Sequence, residues 1–387
     1  MITTGLTPEN TVLTMGLGKA GTELHGPLWH GEGFSQIGWD IKAELCVPSG
    51  LSGKGQAAVA AGRLVLVNNL AEVPCVPAVL DIATSSGRHL AALKSALKEV
   101  YVPKGLLPKA VLLEKPVVSP DEMGGLEALL ARHGIEDSII VNETYLASSA
   151  LAKVSKLAEE KRKQGIAVSR VEVVKYKDRV PDVKAGRFTD PELGAFGIEM
   201  PHMVSIACVL AGMQPEERLV PTQNVYYQGI DGIRESEATY VTAHTENGVE
   251  IAMAQGLGPF TMDAEGGMVR YSGLDEGGSM PDIVRNTVVR FSDGTSARID
   301  FDPAPGVPRY HSILRTFDAR GKQLKEEVIA DNMLKRIIEG TADLAKTGVR
   351  PDVARALDVR TAMRTVLTLA ALRGATRLRQ DVAIAVR

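Results

Sequence analysis

Two short stretches carry side chains whose types and spacing could do chemistry. In "KAVLLEKPVV" the apolar run of Val111, Leu112 and Leu113 ends in Glu114, Lys115 and Pro116. Charges at the tip of a buried strand are costly to desolvate, and an ammonium held there suits the stabilisation of negative charge on a substrate oxygen. In "GIEMPHMVSIACVLAG", Pro201 fits the start of a helix, Val204, Ile206, Ala207 and Leu210 follow at helical spacing, and Gly212 supplies the stop. His202 then lies in the first turn, where the helix dipole opposes an imidazolium and favours a neutral ring available as a base. A histidine beside an apolar helix is also a common structural residue, and residue type alone leaves that reading open. Glu199 stands three residues earlier. An E-x-x-H pair binds di-iron only when it occurs twice, and here it occurs once, so no metal site is expected.

A third stretch, "MGLGKAG", places Gly16, Leu17, Gly18, Lys19, Ala20 and Gly21 directly after the apolar "TVLT". Glycines in this G-x-G-x-x-G order permit a tight turn and let backbone amides approach a pyrophosphate at a helix start. Asp40, in "QIGWDIK", falls about 20 residues on, where an acid accepts hydrogen bonds from the adenosine ribose hydroxyls. That favours NAD. Lys42 close by is compatible with a ribose phosphate, hence with NADP, and Asp40 also fits a plain solvated strand end. "DIATSSGRHL" puts Thr84 and Ser85 at a strand terminus and His89 on the helix after it, although N-capping by Ser85 or Ser86 accounts for the same residue types. "SGLSGKG" imitates a phosphate loop but has Pro48 for the leading glycine and Gly55 for the magnesium-binding hydroxyl, and it is set aside.

The elements that must position these groups can be read from apolar runs. "TVLTMG", "QIGWDI", "RLVLVN", "AVLDIAT", "AVLLEKP" and "SIIVNETY" each read as a buried strand, and amphipathic segments such as "GRHLAALKSALKEV" separate several of them. Strands that are apolar throughout and alternate with helices predict a doubly wound parallel sheet covered on both faces, with ligands bound at its carboxyl edge. Further on, Asn247-Gly248 and Asp293-Gly294 sit between β-rich stretches, the hairpin signature of an antiparallel sheet. The expected fold is therefore α/β: a dinucleotide-binding domain over 1–145, an α+β domain over 146–350, and a C-terminal helix over 351–387 that packs back on the body.

Bulk properties narrow the function classes. A chain of 387 residues is longer than one core usually serves, and 44% hydrophobic with 24% charged residues is the composition of a soluble globular protein. A formal charge of −3 gives no basic field for nucleic acid. The odd set Cys46, Cys75 and Cys208, scattered among apolar neighbours, fits reduced thiols and a cytoplasmic setting. No signal-peptide pattern and no run of about 18 apolar residues is found, so neither export nor membrane insertion is expected.

Taken together in order and spacing, the glycine loop, "LLEKP" and "DPELGAFGIEMPH" resemble the glucose-fructose oxidoreductase / inositol dehydrogenase / MocA (Gfo/Idh/MocA) family, with Glu-Lys-Pro the most specific motif. The resemblance implies an N-terminal Rossmann domain, a C-terminal α+β domain with a large open, mainly antiparallel sheet, and a homodimer or homotetramer. It implies NAD- or NADP-dependent hydride transfer at a carbinol or carbonyl of a sugar or cyclitol, a small polyol substrate. Lys115 then lies near nicotinamide and substrate and His202 is the proton acceptor or donor, while Glu114 fixes the lysine or contacts the cofactor. Asn142, Glu143 and Tyr145 of "VNETY" match loosely where relatives line the crevice. Many relatives carry an aspartate four residues before the histidine; here that position is Ile198, and Glu199 is offset by one. Either Glu199 replaces that aspartate or His202 works without a carboxylate partner, and the pattern "GIEMPH" hints at a specialised substrate such as an aminosugar or aminocyclitol of secondary metabolism. An NAD-dependent glycosidase, an imine reductase or a non-catalytic cofactor sensor would use the same fold.

Overall fold

The computed structural model describes residues 6–177, 197–214, 217–228, 237–256, 260–262, 268–270, 283–304, 306–374 and 377–379. The first part of "DPELGAFGIEMPH", 190–196, lies outside them. The chain divides into two compact units: residues 1–147 with 334–363, and residues 148–333 with 364–387. Residues 334–350, expected with the α+β domain, thus belong to the first unit, and a division falls within the helix Val359–Gly374.

The first unit is built on six strands: β1 (Thr11–Met15), β2 (Ser35–Trp39), β3 (Leu64–Leu66), β4 (Val79–Ile82), β5 (Ala110–Glu114) and β6 (Ile139–Asn142). They correspond to the six apolar runs in order. All neighbours are parallel and the sheet order is β3-β2-β1-β4-β5-β6. Every residue of β1, β4 and β6 is buried, so both faces of the sheet are covered, which is why these strands are apolar without alternation. Crossover segments include α1 (Gly26–Gly31), α2 (Gly53–Ala60), α3 (His89–Ala96) and α4 (Met123–His133). Segment 334–363 fastens β6 through its backbone: Val141 donates to the Leu357 carbonyl at 2.8 Å, and the Arg350 guanidinium donates to the carbonyls of Asp137 and Ile139 at 2.8 and 2.9 Å.

The second unit carries a nine-stranded sheet, here numbered β7 (Val168–Lys177), β8 (Val220–Gln228), β9 (Glu237–His244), β10 (Glu250–Gly256), then, after the small hairpin β11 (Phe260–Met262) and β12 (Met268–Arg270), β13 (Ile283–Phe291), β14 (Ser296–Asp300), β15 (His311–Phe317), β16 (Gln323–Ala330) and β17 (Arg377–Arg379). Its order is β16-β15-β14-β13-β7-β10-β9-β8-β17, antiparallel except at β7/β10 and β8/β17. The two expected hairpins are present. Gly248 (φ 79°) turns β9 into β10 and Gly294 (φ 82°) turns β13 into β14, left-handed backbone that glycine adopts without strain. The helix Met200–Ala211 packs on β7 and β10 and ends at Gly212 with φ 72°, the stop expected from sequence. Among the described residues no helix is long and apolar enough to cross a membrane.

Candidate active site

The glycine loop follows β1 and leads into a helical run that opens with a π turn over Ala20–His25 and continues as α1. Two of its three glycines are required by the fold, and the third faces open space. Gly16 has φ 102°, and a Cβ there would stand 2.6 Å from the Ala83 carbonyl oxygen at the end of β4. A Cβ on Gly21 would stand 2.1 Å from the Gly16 carbonyl oxygen, so helix and loop can close only over a glycine. At Gly18 a Cβ would meet nothing within 4 Å, so this side of the loop is open. These are the tight-turn, close-packing and ligand-approach roles of a dinucleotide fingerprint.

Asp40 follows β2 and is bound to the same loop. Its Oδ2 accepts from the Leu17 amide at 2.8 Å and its Oδ1 from the Lys42 amide at 2.9 Å. At the end of β4 the Thr84 hydroxyl oxygen is buried without a hydrogen-bond partner. Ser85 occupies the N-cap position of the turn Ser86–Arg88, yet its side chain makes no capping bond, so capping does not account for it. His89 is 1% exposed, and its ring spans two carbonyls, Pro116 at 2.7 Å from Nδ1 and Thr84 at 3.1 Å from Nε2. Burial lowers its pKa in spite of these bonds. The ring thereby ties the end of β4 to the residues that follow β5.

Glu114 ends β5 with Lys115 and Pro116 next, joined by a cis peptide. Glu114 Oε1 accepts from Asn142 Nδ2 at 2.6 Å and lies 3.2 Å from His25 Nε2. On the other side of that imidazole, Nδ1 lies 3.0 and 3.2 Å from the two oxygens of Asp81, a residue of β4 with no exposure at all. Trp29 Nε1 donates to the same carboxylate at 2.9 Å. Burial by itself pulls the His25 imidazole down, but the charges and hydrogen bonds of Asp81 and Glu114 outweigh it and raise its pKa to about 10. Burial likewise pushes the Glu114 carboxyl up, and the His25 and Asn142 bonds more than reverse this, leaving it below the usual range. Lys115 is half-buried and Tyr145 is 4% exposed, on the short turn Thr144–Ala147.

The remaining predicted residues belong to the second unit. Glu199 is the N-cap residue of the helix Met200–Ala211, Pro201 takes its second position, and His202, 8% exposed, lies in its first turn as expected. Glu199 Oε2 lies 3.2 Å from Lys175 Nζ, and the two side chains are 5% and 2% exposed. The structure therefore brings together the glycine loop, Asp40, Thr84, His89, Glu114, Lys115, Asn142 and Tyr145 in one unit, and Glu199 with His202 in the other. Sequence reading missed His25, Asp81, Trp29 and Lys175. A signal existed for two of them: Asp81 is the one acid inside the apolar "AVLDIAT", and strand alternation puts Lys175 on the same face as the buried Val171 and Val173.

No family model matches the chain, and no curated protein matches it. Solved structures do. A protein of Desulfitobacterium hafniense, provisionally named an NADPH-dependent oxidoreductase, superposes with a TM-score of 0.68 at 14% identity over 94% of this chain and 95% of its own. A UDP-N-acetylglucosamine 3-dehydrogenase of Acidithiobacillus ferrooxidans gives 0.62 at 14% identity over 95% and 97%. A 3-ketoreductase of Actinomadura kijaniata, solved with NADP and TDP-benzene, gives 0.66 at 13% identity over 96% and 99%. At such identities the likeness is one of fold, and it extends over both units.

Proposed function

We propose that the chain is an NAD(P)-dependent oxidoreductase of the Gfo/Idh/MocA type that acts on a carbinol or carbonyl group of a sugar, cyclitol or amino-substituted analogue. The observation that carries this reading is the pairing of a glycine loop open at Gly18 with the Glu114-Lys115-Pro116 tip of β5 in a β3-β2-β1-β4-β5-β6 sheet. The residues present fit a dinucleotide: the loop leaves room for a pyrophosphate, Thr84 offers an unused hydroxyl, and Asp40 supplies an acid for ribose hydroxyls. The acid favours NAD, and Lys42 is the nearby cation that would tolerate a phosphate on the ribose. The names of the solved neighbours, two of which concern nucleotide-activated sugars or their analogues, support the sugar class.

A bound nicotinamide supplies the hydride acceptor or donor. The chain's part is to manage the proton and the charge on the substrate oxygen. The Lys115 ammonium stabilises alkoxide character as the hydroxyl proton leaves, and the His202 imidazole takes that proton, a contribution of about 10² to 10⁴ in rate. In reduction the same groups polarise and protonate the carbonyl oxygen. Glu199 and Tyr145 support this pair, and Ser85 and Asn142 complete the lining on the dinucleotide side. A homodimer or homotetramer is part of the same reading, with the nine-stranded sheet as the broad surface available to it.

The test follows the absorbance of reduced nicotinamide with NAD or NADP and a panel of sugars, nucleotide sugars, cyclitols and amino-substituted analogues. Lys115→Ala should abolish turnover and retain the fold and most dinucleotide affinity; a fully active variant would overturn the reading. His202→Ala should reduce the rate less steeply and change its pH dependence. Dinucleotide binding without turnover across the panel would instead favour a cofactor sensor.

A further inference from the structure

Asp81 is an unusual residue for its place. It lies inside β4, in register with Thr14 of β1 and Leu112 of β5, and has no solvent exposure. A carboxylate so placed persists only if donors surround it. Trp29 Nε1 donates to Oδ2 at 2.9 Å, the Thr14 hydroxyl lies 3.4 Å away, and His25 Nδ1 faces both oxygens. Thr14 is in turn fixed by Gln36 Nε2, which donates to its hydroxyl at 2.8 Å and to the Gly21 carbonyl at 3.1 Å.

The His25 ring has a carboxylate at each nitrogen, Asp81 on one side and Glu114 Oε1 at 3.2 Å on the other. A neutral ring must leave one nitrogen bare, and its lone pair would point at an anionic oxygen. The second N–H of Asn142 Nδ2 can reach towards His25 Nε2 at 3.4 Å, but Glu114 Oε1 stands closer at 3.2 Å, so a bare nitrogen would still face the carboxylate oxygen. Two donors facing two carboxylates is the arrangement without a conflict. It forms a continuous line from Asp81 through His25 and Glu114 to Asn142, joining β4, the helical run after the glycine loop, β5 and β6.

We propose that His25 is a positioning residue for the oxidoreductase reaction: its doubly donating ring ties Glu114 to the buried Asp81 and thereby fixes the strand tip that carries Lys115. The proposal rests on the functional reading above and adds a residue that the glycine fingerprint itself does not include. His25 lies four residues after Gly21, so the same line also couples the dinucleotide loop to the Glu114-Lys115 tip. The charged groups that face the ring are Asp81 from β4 and Glu114 from β5. His89, from α3, acts on Glu114; Trp29 and Asn142 are neutral donors.

The bridge is tested first without turnover. In protein labelled with ¹⁵N at histidine, both ring nitrogens of His25 should carry protons at pH 8, the signals being assigned by their loss in His25→Gln. One bare nitrogen at that pH would overturn the proposal. In kinetics His25→Gln should lower kcat at least tenfold with the KM for the dinucleotide changed less than threefold, and a wild-type kcat would overturn it. Should that variant not fold, Asp81→Asn keeps the shape of the site while weakening the bridge. It should introduce a new ionisation below pH 9 into the kcat profile, and an unchanged profile would overturn the proposal. Absence of turnover in the wild type would sink the oxidoreductase reading and the positioning role with it, whereas the ring measurement decides the bridge independently.

Discussion

Lys175 Nζ and Glu199 Oε2 meet at 3.2 Å in the interior of the second unit, on the central strand β7 and at the N-cap of the helix that carries His202. The acid at the start of that helix is thus held by a lysine of the underlying sheet. Breaking one side of a buried pair leaves the other charge poorly compensated, which costs about 3–5 kcal/mol. Lys175→Met should lower the unfolding free energy in urea by that order, and Lys175→Met combined with Glu199→Gln should recover much of it. A single variant as stable as the wild type would show that the pair is solvated.

On the proposed reading, the glycine loop separates stability from binding. Gly16→Ala meets both a positive φ and the Ala83 carbonyl, so a loss of about 1–3 kcal/mol from backbone strain alone is expected, with the collision added. Gly18→Ala meets nothing, so its melting temperature should match the wild type while dinucleotide affinity falls at least tenfold. Thermal melts and fluorescence titrations of both variants check this. An unchanged affinity in Gly18→Ala would remove the pyrophosphate from the loop.

Much of this arrangement is legible in the amino-acid sequence. Val79, Leu80 and Ile82 announce a strand covered on both faces because both faces are covered, and Asn247-Gly248 announces a hairpin because its backbone demands glycine. These signals are local. The line through His25 is not: Asp81 lies 56 positions after it, and only the sheet order brings the two together. Lys175 and Glu199 are 24 positions apart, and a lysine two residues after a buried valine reads as ordinary alternation until the helix is seen to cover that face. The return of 334–363 to the first unit is held in part by backbone carbonyls that accept from Arg350, and these carry no side-chain signature.

On the proposed reading, Asp40 is the residue that sets the cofactor preference. Its carboxylate accepts from the Leu17 and Lys42 amides, which fixes a negative charge beside the loop. A ribose phosphate would be repelled there, and Lys42 compensates only in part because it is solvent-exposed. Asp40→Ser should shift the ratio of NADP to NAD affinity at least tenfold towards NADP, about 1.4 kcal/mol. Calorimetric titration with each dinucleotide measures it, and an unaltered ratio would place the discriminating group elsewhere.

The charge on His25 also fixes a pH dependence. Its pKa is about 10 in the folded chain against 6.5 for an ordinary imidazole, so the folded state holds the proton more tightly. The resulting stabilisation is complete below pH 6.5 and is lost as pH rises through about 10. Between these limits the unfolding free energy should fall by up to about 1.4 kcal/mol per pH unit from this one group. Glu114 has the opposite sign: its lowered pKa contributes stability above the ordinary carboxyl value of 4.5, lost as the solution is acidified through the folded value. Urea unfolding at intervals from pH 6 to 10 should therefore show a stability gap between wild type and His25→Gln that narrows steadily towards pH 10. Parallel curves across that range would mean that His25 is neutral in the folded chain and that Asp81 and Glu114 are held by other donors.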